Sequence, residues 1–236
     1  MIKVIAFDLD DTLWAVKPVI IRAEQRLDAW LSEHVKGLQY DVTGMRELRH
    51  ELIMDEPALV KKITELRRRI IELAMLKSGK NATEARALSL QAIEIFLVAR
   101  NDIQLFTGAL EAIRALAIDY RLGALSNGNA DIRRVGLDEH FDFAFSAEGV
   151  GAPKPEPALF ETALAHTGTA PHEMLYVGDD PTLDIDAAKR LGLHTIWLKT
   201  AAKPTIDQTK PDETIEHIRD LPAAVQRLHL RLQTQS

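Results

Sequence analysis

A short apolar run, Val4-Ile5-Ala6-Phe7, breaks off into Asp8-Leu9-Asp10-Asp11-Thr12, and this junction restricts the chain more than any other stretch. A brief apolar run without polar alternation is the pattern of a strand buried on both faces, as in a parallel sheet covered by helices. If the extended backbone persists, Asp8 and Asp10 leave the same face and their charges are crowded at the strand's carboxyl end. Such crowding is costly without a cation. Carboxylates also commonly end strands and begin turns, and a lone Asp is read that way. Three Asp in four residues followed by a hydroxyl favour a divalent metal and carboxylate chemistry.

Beyond Trp14 the periodicity turns helical and stays so to about Arg100. Leu27, Trp30, Leu31 and Val35 recur at helical spacing, then Leu48, Leu52 and Ile53, then Leu66, Ile70, Leu73 and Leu76, then Ala85, Leu88, Ala92, Ile95 and Phe96. Breaks near residues 37–44, 55–57 and 77–82 divide this into roughly four amphipathic helices, with Asn81 and Glu84 forming a capping box. From Thr107 helix and strand alternate. Strands are expected over 120–125, 143–146, 174–177 and 194–198, with helices around 110–116, 157–166, 185–191 and 222–232 and a loop over 199–211. This predicts an α/β fold, a doubly wound parallel sheet from residues 1–14 and 101–236, with an all-helical cap inserted at 15–100. In such sheets ligands lie beyond the carboxyl ends of the strands.

With 236 residues, 46% of them hydrophobic, the chain has ample material for a core. It has no cysteine, which excludes disulfides, thiolate metal sites and thiol nucleophiles. The start lacks the pattern of a secretory signal and no apolar run approaches membrane-spanning length, so a cytoplasmic protein without membrane association is expected. Net charge is −6, and Arg67-Arg68-Arg69, within a Leu/Ile-rich helical pattern, is read as a solvated surface and not as a nucleic-acid patch.

Four segments together carry a specific resemblance. Asp8-Leu9-Asp10-Asp11-Thr12-Leu13 is similar to the D-x-D-x-T motif of the haloacid dehalogenase superfamily, most of whose members are magnesium-dependent phosphatases. Ser126, in Leu125-Ser126-Asn127-Gly128, matches the second motif; Lys154, in Pro153-Lys154-Pro155, the third; Val177-Gly178-Asp179-Asp180 through Asp184, the fourth. The resemblance implies Asp8 as nucleophile, Asp10 as acid and base, and Lys154 as the cation that offsets them. It further implies that Ser126, with Asn127, binds the phosphoryl group, and that Mg²⁺ is held by Asp8, the Asp10 carbonyl and Asp179. Asp184 would then orient Lys154 or metal-bound water. Asp180 is left between that role and starting the next helix. Ser-Asn-Gly is equally satisfied as a turn.

Dehalogenating members lack an acid at the position of Asp10, so its presence favours a phosphatase. The segment Pro18 to Glu24, with the motifs around Ser126 and Asp179, resembles bacterial flavin-mononucleotide phosphatases, a group also linked to the ribitylamino-uracil phosphate step of riboflavin synthesis. The expectation is hydrolysis of a small phosphorylated metabolite by a monomer or homodimer. Trp14 and Arg22 are the candidate substrate contacts, against a packed indole and a surface arginine as their alternatives. Two other outcomes stay open. One is a different chemistry of the superfamily, either haloacid dehalogenation or sugar phosphomutation; the other is a non-catalytic metabolite-binding module.

Overall fold

The computed structural model describes residues 1–39, 42–200 and 210–234, and divides them into two compact units. Unit 1 comprises Met1–Val16, Gln104–Gly128 and Val135 onward; unit 2 comprises Lys17–Ile103 and Asn129–Arg134.

Unit 1 is built on a six-stranded sheet in the order β3-β2-β1-β4-β5-β6, with every pairing parallel. The strands are β1 (Val4–Phe7), β2 (Arg121–Ser126), β3 (Phe143–Ser146), β4 (Met174–Gly178), β5 (His194–Leu198) and β6 (Glu213–Ile215). Every residue of β1 and β4 is buried, as their unbroken apolar runs require. On one face Val4, Ala6, Met174 and Tyr176 form a core cluster with Phe160, Ala163, Ala187 and Ala188. The α/β class and the doubly wound sheet are as the sequence indicates. β6 is an addition to that reading. It lies at the sheet edge beside β5, and only Ile215 of its three residues is buried, so it carries too little apolar pattern to register as a strand. The loop expected over 199–211 falls largely on residues 201–209, outside the described residues.

The order reverses at β1, since the chain next builds β2 and β3 on one side and β4 to β6 on the other. A crevice at the carboxyl end of such a strand is where this architecture binds ligands. Asp8, the first residue past β1, is tied there by its amide, which donates to the Val177 carbonyl of β4 at 2.8 Å.

Unit 2 is helical, with α1 (Val16–His34), α2 (Val42–Asp55), α3 (Ile63–Lys77) and α4 (Ala82–Arg100). Ala23, Leu27 and Leu31 of α1 pack with Ile71 and Met75 of α3 and with Ala85, Ala92, Ile93 and Phe96 of α4. Asn81 caps α4, its Oδ1 accepting from the Glu84 amide at 2.9 Å, while the Glu84 carboxylate pairs with Lys80. The solvated-surface reading of the Arg67–Arg69 triplet is corrected at its centre. Arg68 is buried, with Glu65 and Glu72 at 2.7 Å and Ser89 at 3.1 Å, because acids three residues before and four after it on α3 supply its counter-charges. Among the described residues no helix is long and apolar enough to cross a membrane.

Candidate active site

Immediately after β1 the chain makes a single tight turn: the Leu9 carbonyl accepts from the Thr12 and Leu13 amides at 3.2 and 2.8 Å. Asp11 adopts φ 61, and its Oδ1 accepts from the Val16 amide at 2.9 Å, so an Asp serves both the left-handed backbone and the start of α1. This turn brings Asp8, Asp10 and Asp11 to one pocket with Ser126, Lys154, Asp179 and Asp184.

Lys154 is the hub. Its Nζ lies 2.7 Å from Asp8 Oδ1, 2.7 Å from Asp184 Oδ1 and 2.7 Å from the Tyr176 hydroxyl, all buried. The backbone of Lys154 is gripped in turn by Asn127, whose Oδ1 accepts from the Lys154 amide at 2.7 Å and whose Nδ2 donates to its carbonyl at 2.9 Å. Asn127, expected at the substrate, lines the pocket and also clamps the lysine loop. The Ser126 hydroxyl accepts from the Gly128 amide at 2.9 Å and shapes the turn after β2.

Past β4, Asp180 caps the wide helical turn Pro181–Asp186 by accepting from the Thr182 and Leu183 amides, each at 2.9 Å. The Asp180 carbonyl receives both the Asp184 and Ile185 amides, at 3.0 and 3.2 Å, and this wide turn folds Asp184 back over Gly178. A Cβ on Gly178 would stand 2.5 Å from the Asp184 side chain. Gly178→Ala is accordingly expected to displace Asp184 and cost ~1–3 kcal/mol in urea unfolding; an unchanged midpoint would mean that Asp184 has room this geometry denies it.

Asp8, Asp179 and Asp184 each present an oxygen within 4.8 Å of the others. Burial pushes the Asp8 carboxyl up to about 8, with Asp184 and Asp179 adding to the rise and Lys154 opposing it. Burial alone would lower Lys154, yet the Asp184 and Asp8 carboxylates hold it well above the ordinary lysine value. The ammonium thus stays charged, and the strain falls on the surplus of negative charge. A buried, oxygen-only donor set with excess charge fits a hard divalent cation such as Mg²⁺.

Tyr176 and Trp197 escaped the sequence reading. The Tyr176 hydroxyl joins Lys154 to the Leu125 carbonyl, 3.1 Å away, and the Trp197 indole donates to the Asp179 carbonyl at 2.9 Å. A lone hydroxyl within the apolar run Met174 to Val177 was the available signal, because a buried Tyr needs a partner. Trp14 is fully buried and gives its indole N–H to Asp10, while Arg22 belongs to unit 2, where it donates to the Asp102 carbonyl at 2.8 Å.

Residues 2–192 match the model of the haloacid dehalogenase-like hydrolases. The chain belongs to that family. It is 32% identical over 199 residues to the 5-amino-6-(5-phospho-D-ribitylamino)uracil phosphatase YigB of Escherichia coli, covering 84% of each chain. It is also 32% identical to a phosphoserine phosphatase of Thermus thermophilus, over 66% of this chain and 63% of that one. A crystal structure described as a 2-haloacid dehalogenase of Pseudomonas syringae superposes with a TM-score of 0.93 at 37% identity, covering 96% of this chain and 99% of that one.

Proposed function

We propose that this member is a magnesium-dependent phosphatase of small phosphorylated metabolites, with a riboflavin-pathway ribitylamino-uracil phosphate or flavin mononucleotide first among them. The observation that carries it is the gathering of Asp8, Lys154, Asp179 and Asp184 with Asp10 and Ser126 around one pocket. The resemblance to YigB supports the choice of substrate.

In this reading an Asp8 oxygen attacks phosphorus while the ester P–O bond breaks, and the Asp10 carboxyl passes its proton to the departing alcohol. Water then attacks the aspartyl-phosphate, losing its proton to Asp10 and releasing phosphate and free Asp8. Lys154 offsets the charge of Asp8 and of the transferring group, and the Ser126 hydroxyl donates to a phosphoryl oxygen. Asp8, Asp179 and the Asp10 carbonyl would hold Mg²⁺, which when bound would neutralise charge on the phosphoryl oxygens. Asp184, on Lys154 and the Asp180 amide, positions the lysine.

The resemblance to a structure described as a dehalogenase favours a second reading, in which Asp8 displaces halide from a 2-haloacid. Asp10 weighs against it, because a departing halide needs no proton. Phosphate release from a metabolite panel with and without Mg²⁺, run beside chloride release from 2-chloropropionate, separates the two. Phosphate release that depends on Mg²⁺ supports the proposal; chloride release alone removes it.

A cation effect on stability follows from Asp8. Its folded-state value, about 8, lies above the ordinary 3.8, so the folded protein binds this proton more tightly than the unfolded chain. Stability contributed here is lost as pH rises from about 4 toward about 8. Mg²⁺ competes with that proton. It is therefore expected to raise the melting temperature more at about pH 8 than at about pH 5, in differential scanning fluorimetry.

A further inference from the structure

Trp14 has the largest side chain among the fully buried residues, yet its indole lies beside Asp10, a residue that lines the polar pocket. Its backbone pairs with Asp10 on one side and Leu105 on the other, and the Asp11 amide donates to its carbonyl at 2.7 Å. This closes the turn so that the indole lies against Asp10. The indole Nε1 donates to Asp10 Oδ1 at 2.9 Å. A buried indole N–H must be given to some acceptor, and here the acceptor is the one carboxylate to which the proposed chemistry assigns proton transfer.

We infer that Trp14 is a positioning residue for Asp10: its N–H holds Oδ1 and fixes the rotamer in which the carboxyl lines the pocket. This rests on the phosphatase reading above. A directional hydrogen bond from a rigid ring restricts the orientation of the short Asp side chain, which apolar packing alone does not. A carboxyl free to rotate would protonate the leaving group in only a fraction of its orientations, and misplacement of about 1 Å costs roughly 100-fold.

The consequence depends on the leaving group. Aliphatic alkoxides need a proton as they depart, whereas p-nitrophenolate does not. Because kcat/KM reads only the steps through alcohol departure, the later use of Asp10 as a base does not enter it. Trp14→Phe is expected to lower kcat/KM for an alkyl phosphate by roughly 10- to 100-fold and for p-nitrophenyl phosphate by less than about threefold. In the Asp10→Asn background the same change should cost no more on either substrate. Site-specific 3-benzothienylalanine at position 14, which keeps the bicyclic ring and replaces N–H with sulfur, should reproduce the selective loss if the phenyl variant folds poorly. Equal losses on both substrates, or none, would overturn the inference while leaving the phosphatase reading intact. A wild type that hydrolyses neither p-nitrophenyl phosphate nor any alkyl phosphate of the metabolite panel, the ribityl phosphates included, would overturn both.

Discussion

Asp8→Asn is expected to abolish turnover, by about 10⁴-fold or more, while making the metal-free protein more stable. The two effects share a cause. The Asp8 oxygen is the proposed nucleophile, and an amide in its place cannot form the acyl phosphate. The same carboxylate is buried beside Asp179 and Asp184 with a single ammonium among them, so it is the group that burial pushes up to about 8. Asparagine keeps the shape and removes one of three crowded charges. Lys154 keeps Asp184 at 2.7 Å and the Tyr176 hydroxyl, so its ammonium is not stranded. Exchanging a buried ionic group for a neutral one of equal volume is often neutral or stabilising by roughly 1–4 kcal/mol. A gain of about 1 kcal/mol at pH 8, shrinking toward pH 5 as the wild-type carboxyl takes up its proton, is the expected pattern in urea titrations. Wild-type rates from the variant would remove Asp8 as nucleophile; a uniform loss of stability would mean that its charge is a net support of the fold.

The acids could be found in the sequence because each interrupts an apolar run. Asp8 follows β1, and Asp179 follows β4; a buried strand that stops in carboxylate is visible without coordinates. Lys154 stood out through its flanking prolines. What could not be read was who holds whom. Asn127 and Lys154 are 27 residues apart, and nothing local announces that the amide grips the lysine's backbone at both ends. Tyr176 was hidden inside an aliphatic strand, and the partner of Trp14 depended on the closure of a turn. Arg68 departs in the other direction: charge on an amphipathic helix reads as solvated, yet Glu65 and Glu72 stand at the spacing that buries it. Pattern reveals which chemistry is present at strand ends, while the orientation of each group is set by long-range contacts.

Lys154→Ala tests that orientation through stability. The ammonium faces Asp8 and Asp184 at 2.7 Å each, both buried, and its loss leaves carboxylates crowded with no internal cation. Breaking a buried pair from one side typically costs 3–5 kcal/mol, and about that loss is expected at neutral pH without metal. Lys154 is itself held above the ordinary lysine value, so its contribution is fully present below about pH 10 and produces no slope between about pH 5 and pH 9. The pH dependence of the loss comes from the acids. Without the ammonium opposing the rise, the Asp8 carboxyl keeps its proton to higher pH than in the wild type, so stability goes on falling at pH values where the wild type has levelled off. The deficit should therefore be greatest at alkaline pH and shrink as the carboxyls protonate. A divalent cation can stand in for part of the missing charge, so Mg²⁺ should raise the melting temperature of the variant more than that of the wild type. A deficit that ignores both pH and Mg²⁺ would show that Lys154 supports the fold through its packed aliphatic stem, and that the carboxylates do not depend on it for charge balance.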